Sequence, residues 1–320
     1  MDTSPQVLME MYRRMVRIRS FELAAVDLFK RGLVKGTIHS YVGQEASAVG
    51  VCMALRDDDW VFGTHRNHGY NLAKGIDPSR MMAEILGREG GFCQGRGGSM
   101  HIMALEKGSL AGLPIVGAGL PLAVGAALAF KMRGEDRLAV AFVGDAGSNT
   151  GNWHESLNLA AIWNLPVLFV LENNRYGVST RIEESCKLED LSRRAAAYGL
   201  SGARVDGFDV QAVYRAASEA IARVRAGEGP SLLVTESYRF EGHYVGEPEV
   251  YRSKSEVMDF RRRDPIESTR IMLLQSGHVR AEGLQSVERE ISAEISEAVR
   301  FAQNCPQPDP ASAMDYVYAE

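Results

Sequence analysis

The chain has 320 residues, 45% hydrophobic and 24% charged, a composition typical of a globular protein with one large domain or two. Its net charge of −5 at pH 7 provides no basic field, which excludes nucleic acid as a partner class. The four cysteines are widely spaced, without a CxxC motif or a His pair, so they predict free thiols in a cytoplasmic protein and exclude disulfides and zinc.

The N-terminal third begins with two predicted helices. Apolar positions recur at helical spacing over residues 5–31, in a stretch that has charges throughout and lacks the apolar core of a signal peptide. A second helix is predicted from Gln44 to Arg56.

Next comes a predicted strand, Trp60–Phe62, followed by the polar segment GTHRNHGY. A guanidinium such as that of Arg66 can hold a diphosphate through two hydrogen bonds. His65 and His68 are candidate metal ligands, but no third soft ligand lies nearby in the sequence, which argues against zinc.

Two glycine-rich stretches follow. Residues Gly87–Met100 predict an irregular loop and match neither a P-loop nor a dinucleotide fingerprint, and His101 is interpreted as a residue that fixes this loop. Leu110–Phe130 contains no charge, yet its glycines and prolines predict a buried turn and a helix over Leu122–Met132, not a membrane span.

The segment from Leu138 to Thr180 predicts a strand–helix–strand unit, with strands at Leu138–Val143 and Val167–Leu171 and a helix at Asn152–Trp163. Asp145 follows the first strand, and Asn173 and Asn174 follow the second. Carboxylate and amide oxygens suit Mg²⁺, and the glycines around Asp145 let backbone N–H groups approach a phosphate. The unit therefore predicts a site for Mg²⁺ and a diphosphate.

The same alternation continues beyond Thr180. A short helix at Asp190–Tyr198, a strand at Ala203–Val205, a helix at Asp209–Ala226 and a strand at Ser231–Ser237 are predicted. His243 also follows a strand, so Asp145, Asn174 and His243 are expected in one crevice at the carboxyl edge of the sheet. Residues 266–303 predict a solvated helical segment, and the Pro-containing tail predicts irregular structure. The fold class is α/β, with a doubly wound, mainly parallel sheet flanked by helices.

The motif Gly144-Asp145-Ala146-Gly147, followed by Asn173-Asn174, is similar to the thiamine diphosphate signature. With the longer run ESLNLAAIWNLPVLFVLENNRYG, the chain resembles the α subunit of the E1 component of 2-oxo-acid and acetoin dehydrogenase complexes over roughly residues 10–270. It departs from the signature at Ala146, where the family has Gly. Because alanine disfavours a positive φ, we expect a slightly different loop geometry.

The resemblance implies a set of site residues. Asp145 and Asn174 would bind Mg²⁺ through side-chain oxygens and Tyr176 through its backbone carbonyl, so the Tyr176 phenol is expected to be dispensable. His243 would lie by the diphosphate, which favours its protonated form, and would help proton transfer, while His68 would line the pocket, and both are implied as catalytic residues. Glu45 lies either at the active-site entrance or simply in the first turn of a helix. The implied cofactor-binding residues are His65, Arg66, Pro114, Val116, Gly144, Asp145, Ala146, Gly147, Asn174 and His243.

The resemblance also implies a partner. In two-subunit relatives the Glu that faces the pyrimidine ring of thiamine diphosphate comes from a β subunit, so we expect an α₂β₂ heterotetramer that is active only when complete. A lipoyl acyltransferase (E2) would receive the acyl or hydroxyalkyl fragment. The expected domains are a helical extension over residues 1–35, the cofactor-binding domain over 36–265 and a helical segment over 266–320.

The implied activity is acetoin cleavage or 2-oxo-acid decarboxylation, and the segment EGHYVGEPEVYR favours acetoin. One alternative is a thiamine-dependent acyl-transfer or carbon–carbon-forming synthase without a lipoyl partner. Another is a non-catalytic subunit, which the retention of Asp145, Asn174, Arg66 and His243 argues against.

Overall fold

A computed structural model describes residues 4–315 and residue 317. The strands are β1 (Trp60–Phe62), β2 (Ser109–Leu110), β3 (Ala139–Gly144), β4 (Val167–Asn173), β5 (Tyr176–Gly177), β6 (Thr180–Arg181), β7 (Ser201–Asp206) and β8 (Ser231–Glu236). The helices are α1 (Pro5–Lys30), α2 (Glu45–Cys52), α3 (His68–Ala73), α4 (Pro78–Ile85), α5 (Gly119–Arg133), α6 (Gly151–Ile162), α7 (Ile182–Ser185), α8 (Val210–Arg225), α9 (Lys254–Arg261), α10 (Pro265–Gln275) and α11 (Ala281–Asn304).

Six strands form one parallel sheet in the order β2-β1-β3-β4-β8-β7, while β5 and β6 pair antiparallel outside it. Successive side chains of a strand point to opposite faces, and both faces of this sheet are covered. In β3, Ala139, Ala141 and Val143 contact the core under α5 and α6. Val140 and Phe142 contact the core under α1, α2 and α8. The predicted doubly wound α/β fold is confirmed.

The terminal helices pack against each other and against the main core. Met11 and Met15 of α1 are fully buried in the same cluster as Ile291 of α11. On the surface, Arg13 pairs with Glu290 and Arg17 with Glu294, each at 2.9 Å. The predicted domain boundaries remain a prediction. Residues 1–3 of the first predicted segment and residues 318–320 of the last lie outside the described part of the chain.

The strand–helix–strand unit and the later elements form where they were predicted, within two residues at each end. The predicted short helix before β7 is a 3₁₀ helix, Leu191–Tyr198. The tail contains a 3₁₀ turn, Pro310–Met314, where irregular structure was expected.

Other predictions were wrong in their limits. The second helix ends at Cys52, not Arg56, because the chain then turns and the Arg56 N–H donates to the Asp59 carboxylate at 2.8 Å. The helical stretch after Pro265 is broken between α10 and α11, where Gly277 has a φ of +70°. Helix α5 begins at Gly119, three residues before the predicted start. Four helices, α3, α4, α7 and α9, were not predicted.

The glycine-rich segment is organised around the buried carboxylate of Glu84 in α4. This carboxylate accepts four backbone N–H groups, those of Cys93, Gly95, Gly97 and Gly98, at 2.7 to 3.0 Å. The segment therefore forms an anion-binding nest that the protein fills with its own Glu84.

The uncharged stretch around α5 is part of the protein core. One face of α5, including Leu120, Ala123 and Ala127, packs under the sheet. Among residues 4–315 and 317, none of the helices combines the length and the hydropathy needed to span a membrane.

Candidate functional site

A cavity of about 340 Å³ lies at the carboxyl edge of the sheet, where β1, β3, β4 and β8 end. This is the crevice position expected for a doubly wound sheet. It brings together residues from seven separate segments of the chain. Of the predicted site residues, His65, Arg66, Pro114, Val116, Gly144, Asp145, Ala146, Gly147, Asn174, Tyr176 and His243 line it, and His68 does not.

Two oxygens in this cavity lack a hydrogen-bond partner although they are buried. They are Asp145 Oδ2 and Asn174 Oδ1, each at the end of a strand of the sheet. The Asn174 amide donates to Gln44 Oε1 at 3.0 Å, which fixes its orientation. Buried unpaired oxygens are costly, and a hard cation would satisfy both. The residues present therefore fit Mg²⁺.

The electrostatics of Asp145 agree with a cation site. Burial raises the pKa of Asp145 to about 6, and the charge of Arg239 only partly opposes this. A bound divalent cation would hold the carboxylate in its ionised form.

The replacement of Gly by Ala146 requires no positive φ. Ala146 begins a 3₁₀ turn, Ala146–Asn149, with ordinary backbone angles. Its methyl group faces Gly177, and a Cβ on Gly177 would collide with it. The Ala146 methyl group is therefore accommodated by the absence of a side chain at Gly177 on the opposing turn.

Arg66 is buried at the floor of the cavity. Its guanidinium donates to the Ser40 carbonyl at 2.5 Å and to the His243 carbonyl at 3.0 Å. Burial, followed by the charge of Arg239, lowers the pKa of Arg66 to about 10, so it stays charged at neutral pH. Arg66 thus supplies positive charge to the cavity and ties two of its walls together.

Three imidazoles meet on one wall of the cavity: His39, His65 and His243, with ring centroids 4.5 to 5.4 Å apart. His39 was not singled out from the sequence, because nothing in its local pattern shows that the loop before α2 reaches this wall. Burial and the charge of Arg66 lower the pKa of His39 and His243 to about 3 and that of His65 to about 2.

His243 has a defined tautomer. Arg239 Nη1 lies 3.0 Å from His243 Nδ1, and a guanidinium can only donate, so Nδ1 is unprotonated and Nε2 carries the hydrogen. The protonated form was expected to be favoured by a neighbouring diphosphate, and the protein's own groups act in the opposite direction, because burial and two guanidinium groups hold the pKa of His243 low. His243 therefore presents a neutral N–H group.

Of the two histidines considered as metal ligands, His65 meets two other imidazoles, since the candidate ligand atoms of His39, His65 and His243 lie within 4.8 Å of one another, while His68 is not part of this cluster. However, the Arg239 hydrogen bond occupies His243 Nδ1, and Arg66 adds a second positive charge. This environment suits an anion and disfavours a cation, so the structure places no zinc site here.

The remaining predicted histidines are structural. His68 Nδ1 donates to buried Glu22 at 3.2 Å, and its Nε2 pairs with the Ser99 hydroxyl at 3.1 Å. His101 Nδ1 donates to the Gly97 carbonyl at 2.7 Å, as interpreted from the sequence. Glu45 is fully buried and accepts from Arg19 and from the Gly43 N–H, and it does not line the cavity.

A buried carboxyl at the cavity floor was also missed. Glu172, the residue two before Asn174, accepts hydrogen bonds from the Tyr41 and Tyr70 hydroxyls. Burial raises the pKa of Glu172 to about 7, against the opposing effect of these bonds. Its backbone carbonyl also accepts the Asp145 and Asn174 N–H groups, at 3.3 and 3.1 Å. Glu172 thus joins the two candidate metal ligands to the opposite wall.

Sequence comparisons identify the family of this chain. The model of the family described as "Dehydrogenase E1 component" matches residues 13–311. The chain is 45% identical to the α subunit of acetoin:2,6-dichlorophenolindophenol oxidoreductase from Cupriavidus necator, over 98% of this chain and 94% of the relative. It is 45% identical to the same subunit from Bacillus subtilis (96% and 92%) and 42% identical to the α subunit of pyruvate dehydrogenase E1 from Rhizobium meliloti (93% and 86%). The chain therefore belongs to the dehydrogenase E1 component family, among its α subunits.

Proposed function

We propose that this chain is the α subunit of a thiamine diphosphate- and Mg²⁺-dependent dehydrogenase E1 component that cleaves acetoin. The observation that carries the proposal is the pair of buried, unpartnered oxygens, Asp145 Oδ2 and Asn174 Oδ1, at adjacent strand ends of one cavity. Two relatives whose names include acetoin are 45% identical over nearly the whole chain, which favours acetoin. Decarboxylation of a 2-oxo acid is the second candidate, because the pyruvate dehydrogenase relative is 42% identical.

The chain's own residues would hold the cofactor as follows. Asp145, Asn174 and the Tyr176 carbonyl would bind Mg²⁺, and Arg66 with the His243 N–H would face the diphosphate. The backbone at Pro114 and Val116 lines the same cavity and would meet the aminopyrimidine ring. Thiamine diphosphate supplies the carbanion chemistry that cleaves the bond beside the substrate carbonyl. The protein binds and orients the reactants in a site of low polarity.

A β subunit is needed to complete the site. Of the described residues that line the cavity, the carboxylates are Asp145 and Glu172, and Glu172 is bound to two tyrosines. The Glu expected against the pyrimidine ring would therefore come from the partner. Apolar side chains at the cavity mouth and on α6, including Ile115 at 72% and Ile162 at 67% exposure, provide a surface for it. We propose an α₂β₂ assembly that passes its product fragment to the lipoyl group of an E2 acyltransferase.

A cytoplasmic location is part of the proposal. The four cysteines are free thiols in the structure, as a reducing compartment would keep them.

The test is to co-express the chain with its β subunit and to measure reduction of 2,6-dichlorophenolindophenol with acetoin or pyruvate. Turnover should require both thiamine diphosphate and Mg²⁺ and should be faster with acetoin. Asp145→Ala should abolish cofactor binding with little loss of fold, because it lies on a loop at the sheet edge. Unchanged thiamine diphosphate affinity in this variant would refute the assignment of the metal site.

A further inference from the structure

The turn that follows β4, residues 174–181, has an unusual backbone. Arg175 has a φ of +74° and Val178 a φ of +55°, and neither is glycine. A β-branched residue such as Val178 is a marked outlier in this region, so the conformation persists only if neighbouring groups hold it. The same turn carries Asn174 and Tyr176, two of the three proposed metal ligands.

Helix α9 contacts this turn through Glu256. The Glu256 carboxylate accepts the Tyr176 hydroxyl at 2.8 Å and also accepts from Arg181, at the far end of the turn. A third donor, the Tyr238 hydroxyl, lies at 3.1 Å. Burial would raise the pKa of Glu256, but hydrogen bonds from Tyr176, Arg181 and Tyr238 outweigh it and hold the pKa below its usual range. The carboxylate is therefore an ionised acceptor for both ends of the turn.

A second side chain of α9 reinforces the contact. The Arg175 guanidinium lies 5.2 Å from the centre of the Phe260 ring, and Phe260 stacks on Tyr238 at 4.1 Å. On the other side of the turn, Arg239 donates to the Val178 carbonyl at 2.9 Å. Each of the strained residues is thus held by a contact of its own.

The position of Glu256 in α9 would allow a hydrogen bond within the helix terminus, which the contact with the turn replaces. Ser253 caps the helix, and its hydroxyl accepts the Glu256 N–H at 3.1 Å. In the common capping box, a Glu at this position would turn back to the N–H of the cap residue. Glu256 instead directs its carboxylate to the turn.

We propose that α9 clamps the turn 174–181, and that Glu256 is a positioning residue that holds the Tyr176 carbonyl at the metal site through the Tyr176 phenol. The inference rests on the proposed function to the extent that this carbonyl is a metal ligand. It also corrects the expectation that the phenol is dispensable, because the phenol is the link to α9.

The test uses the α–β complex with Mn²⁺ as the probe, whose binding in the presence of thiamine diphosphate is measured by electron paramagnetic resonance. Glu256→Gln should weaken Mn²⁺ binding about tenfold, which corresponds to about 1.4 kcal/mol. The matched control is Glu241→Gln, because Glu241 also pairs with a residue of α9, Arg261 at 2.8 Å, and this ion pair does not involve the turn. Mn²⁺ affinity of Glu256→Gln within twofold of the Glu241→Gln control would overturn the proposal.

A second readout needs no metal. Amide hydrogen exchange of residues 174–181 in the metal-free complex should be faster in Glu256→Gln and in Tyr176→Phe, and the double variant should show no further increase, because both changes break one link. Unchanged exchange in both single variants would also overturn the clamp. If wild-type protein failed to bind Mn²⁺ while the exchange result held, the metal assignment would fail and the clamp would stand.

Discussion

At the scale of single residues, the site depends on buried polar and charged groups, some of which have no hydrogen-bond partner within the protein. Asp145 and Asn174 keep unpartnered oxygens, and Arg66 and Arg239 are buried cations. Such groups lower the stability of the protein by itself, since each loses its hydration. In the proposed function, a cation and an anionic cofactor would satisfy them together.

Asp145 gives a pH-dependent prediction. Because its pKa is about 6 in the folded state and near 4 when unfolded, the folded protein binds more protons than the unfolded chain between about pH 4 and 6. The free energy of unfolding of the metal-free protein should therefore fall as the pH rises through this window, by about 3 kcal/mol in total. Asp145→Asn should remove this loss of unfolding free energy, because an amide does not titrate. Thermal unfolding midpoints at pH 5 and 7.5 test it, and an identical pH dependence in both proteins would contradict it.

Arg239 gives the second prediction. It fixes the Nε2–H tautomer of His243 through a 3.0 Å hydrogen bond. Arg239→Met should lower turnover roughly 100-fold, as expected when a proton-transfer group loses its correct form. Arg239→Lys, which retains a donor, should recover part of the loss. Steady-state kinetics of the reconstituted complex test this, with Tyr251→Phe as the control because it removes another Arg239 contact and leaves the histidine bond. Equal turnover of the Arg239→Met and Arg239→Lys variants would show that a hydrogen-bond donor to His243 Nδ1 is not needed.

At the scale of elements, loops converge on the site, and three carboxylates hold them in place. Glu84 of α4 organises the glycine-rich segment, Glu172 of β4 joins two tyrosines, and Glu256 of α9 holds the turn after β4. Each carboxylate accepts donors from another segment of the chain. The loops can therefore lack regular structure and still hold fixed positions.

The contact between Ala146 and Gly177 gives an element-scale prediction. Gly177→Ala should push the turn that carries Tyr176 away from the Asp145 loop, because the two methyl groups would overlap. We expect Mn²⁺ affinity to fall at least tenfold, a loss of about 1.4 kcal/mol. The double variant Ala146→Gly/Gly177→Ala should restore most of it, since one methyl group remains between the turns. Titrations of the single and double variants test this, and a double variant as weak as Gly177→Ala would refute the packing argument.

At the scale of the whole molecule, one sheet separates two cores, and the cavity opens at the edge between them. The inner faces of α5 and α6 are buried under the sheet, while their outer faces expose Leu122, Met132, Ile162 and Trp163. Large apolar patches on an isolated chain favour association. The outer faces of α5 and α6 are therefore the surface that a partner subunit would cover.

The assembly prediction follows from this surface. The chain expressed alone should self-associate and show no turnover, and the β subunit should restore solubility and activity together, because folding and assembly are linked by mass action. Ile162→Lys should weaken assembly without unfolding the chain, since its side chain is 67% exposed. Ile271→Lys, on exposed α10, is the control. Sedimentation of the mixed subunits measures the effect, and wild-type assembly by Ile162→Lys would exclude this face as the interface.

Much of this protein is determined by local sequence pattern. The apolar runs of β3, β4 and β8 and the spacing of α1, α6 and α8 predict the layered fold, because hydrophobic periodicity reports which faces must be buried. Asp145 and Asn174 directly follow β3 and β4, and His243 lies in the segment after β8, so topology brings all three to one edge. Helix α4 also begins with a recognisable sequence signal, the N-cap residue Asp77 followed by Pro78.

The tertiary structure decided what depends on distant segments. His39 joins the site through a loop far from β8, and Glu172 acquires its raised pKa because the folded core buries it, against the opposing hydrogen bonds of two tyrosines. The guanidinium groups of Arg66 and Arg239, together with burial, hold the pKa of His243 low, whereas the sequence suggested only the opposing effect of a diphosphate. Sequence pattern reports which residues are buried and where the chain turns, whereas charge environment and hydrogen-bond pairing depend on three-dimensional distances that no local pattern contains.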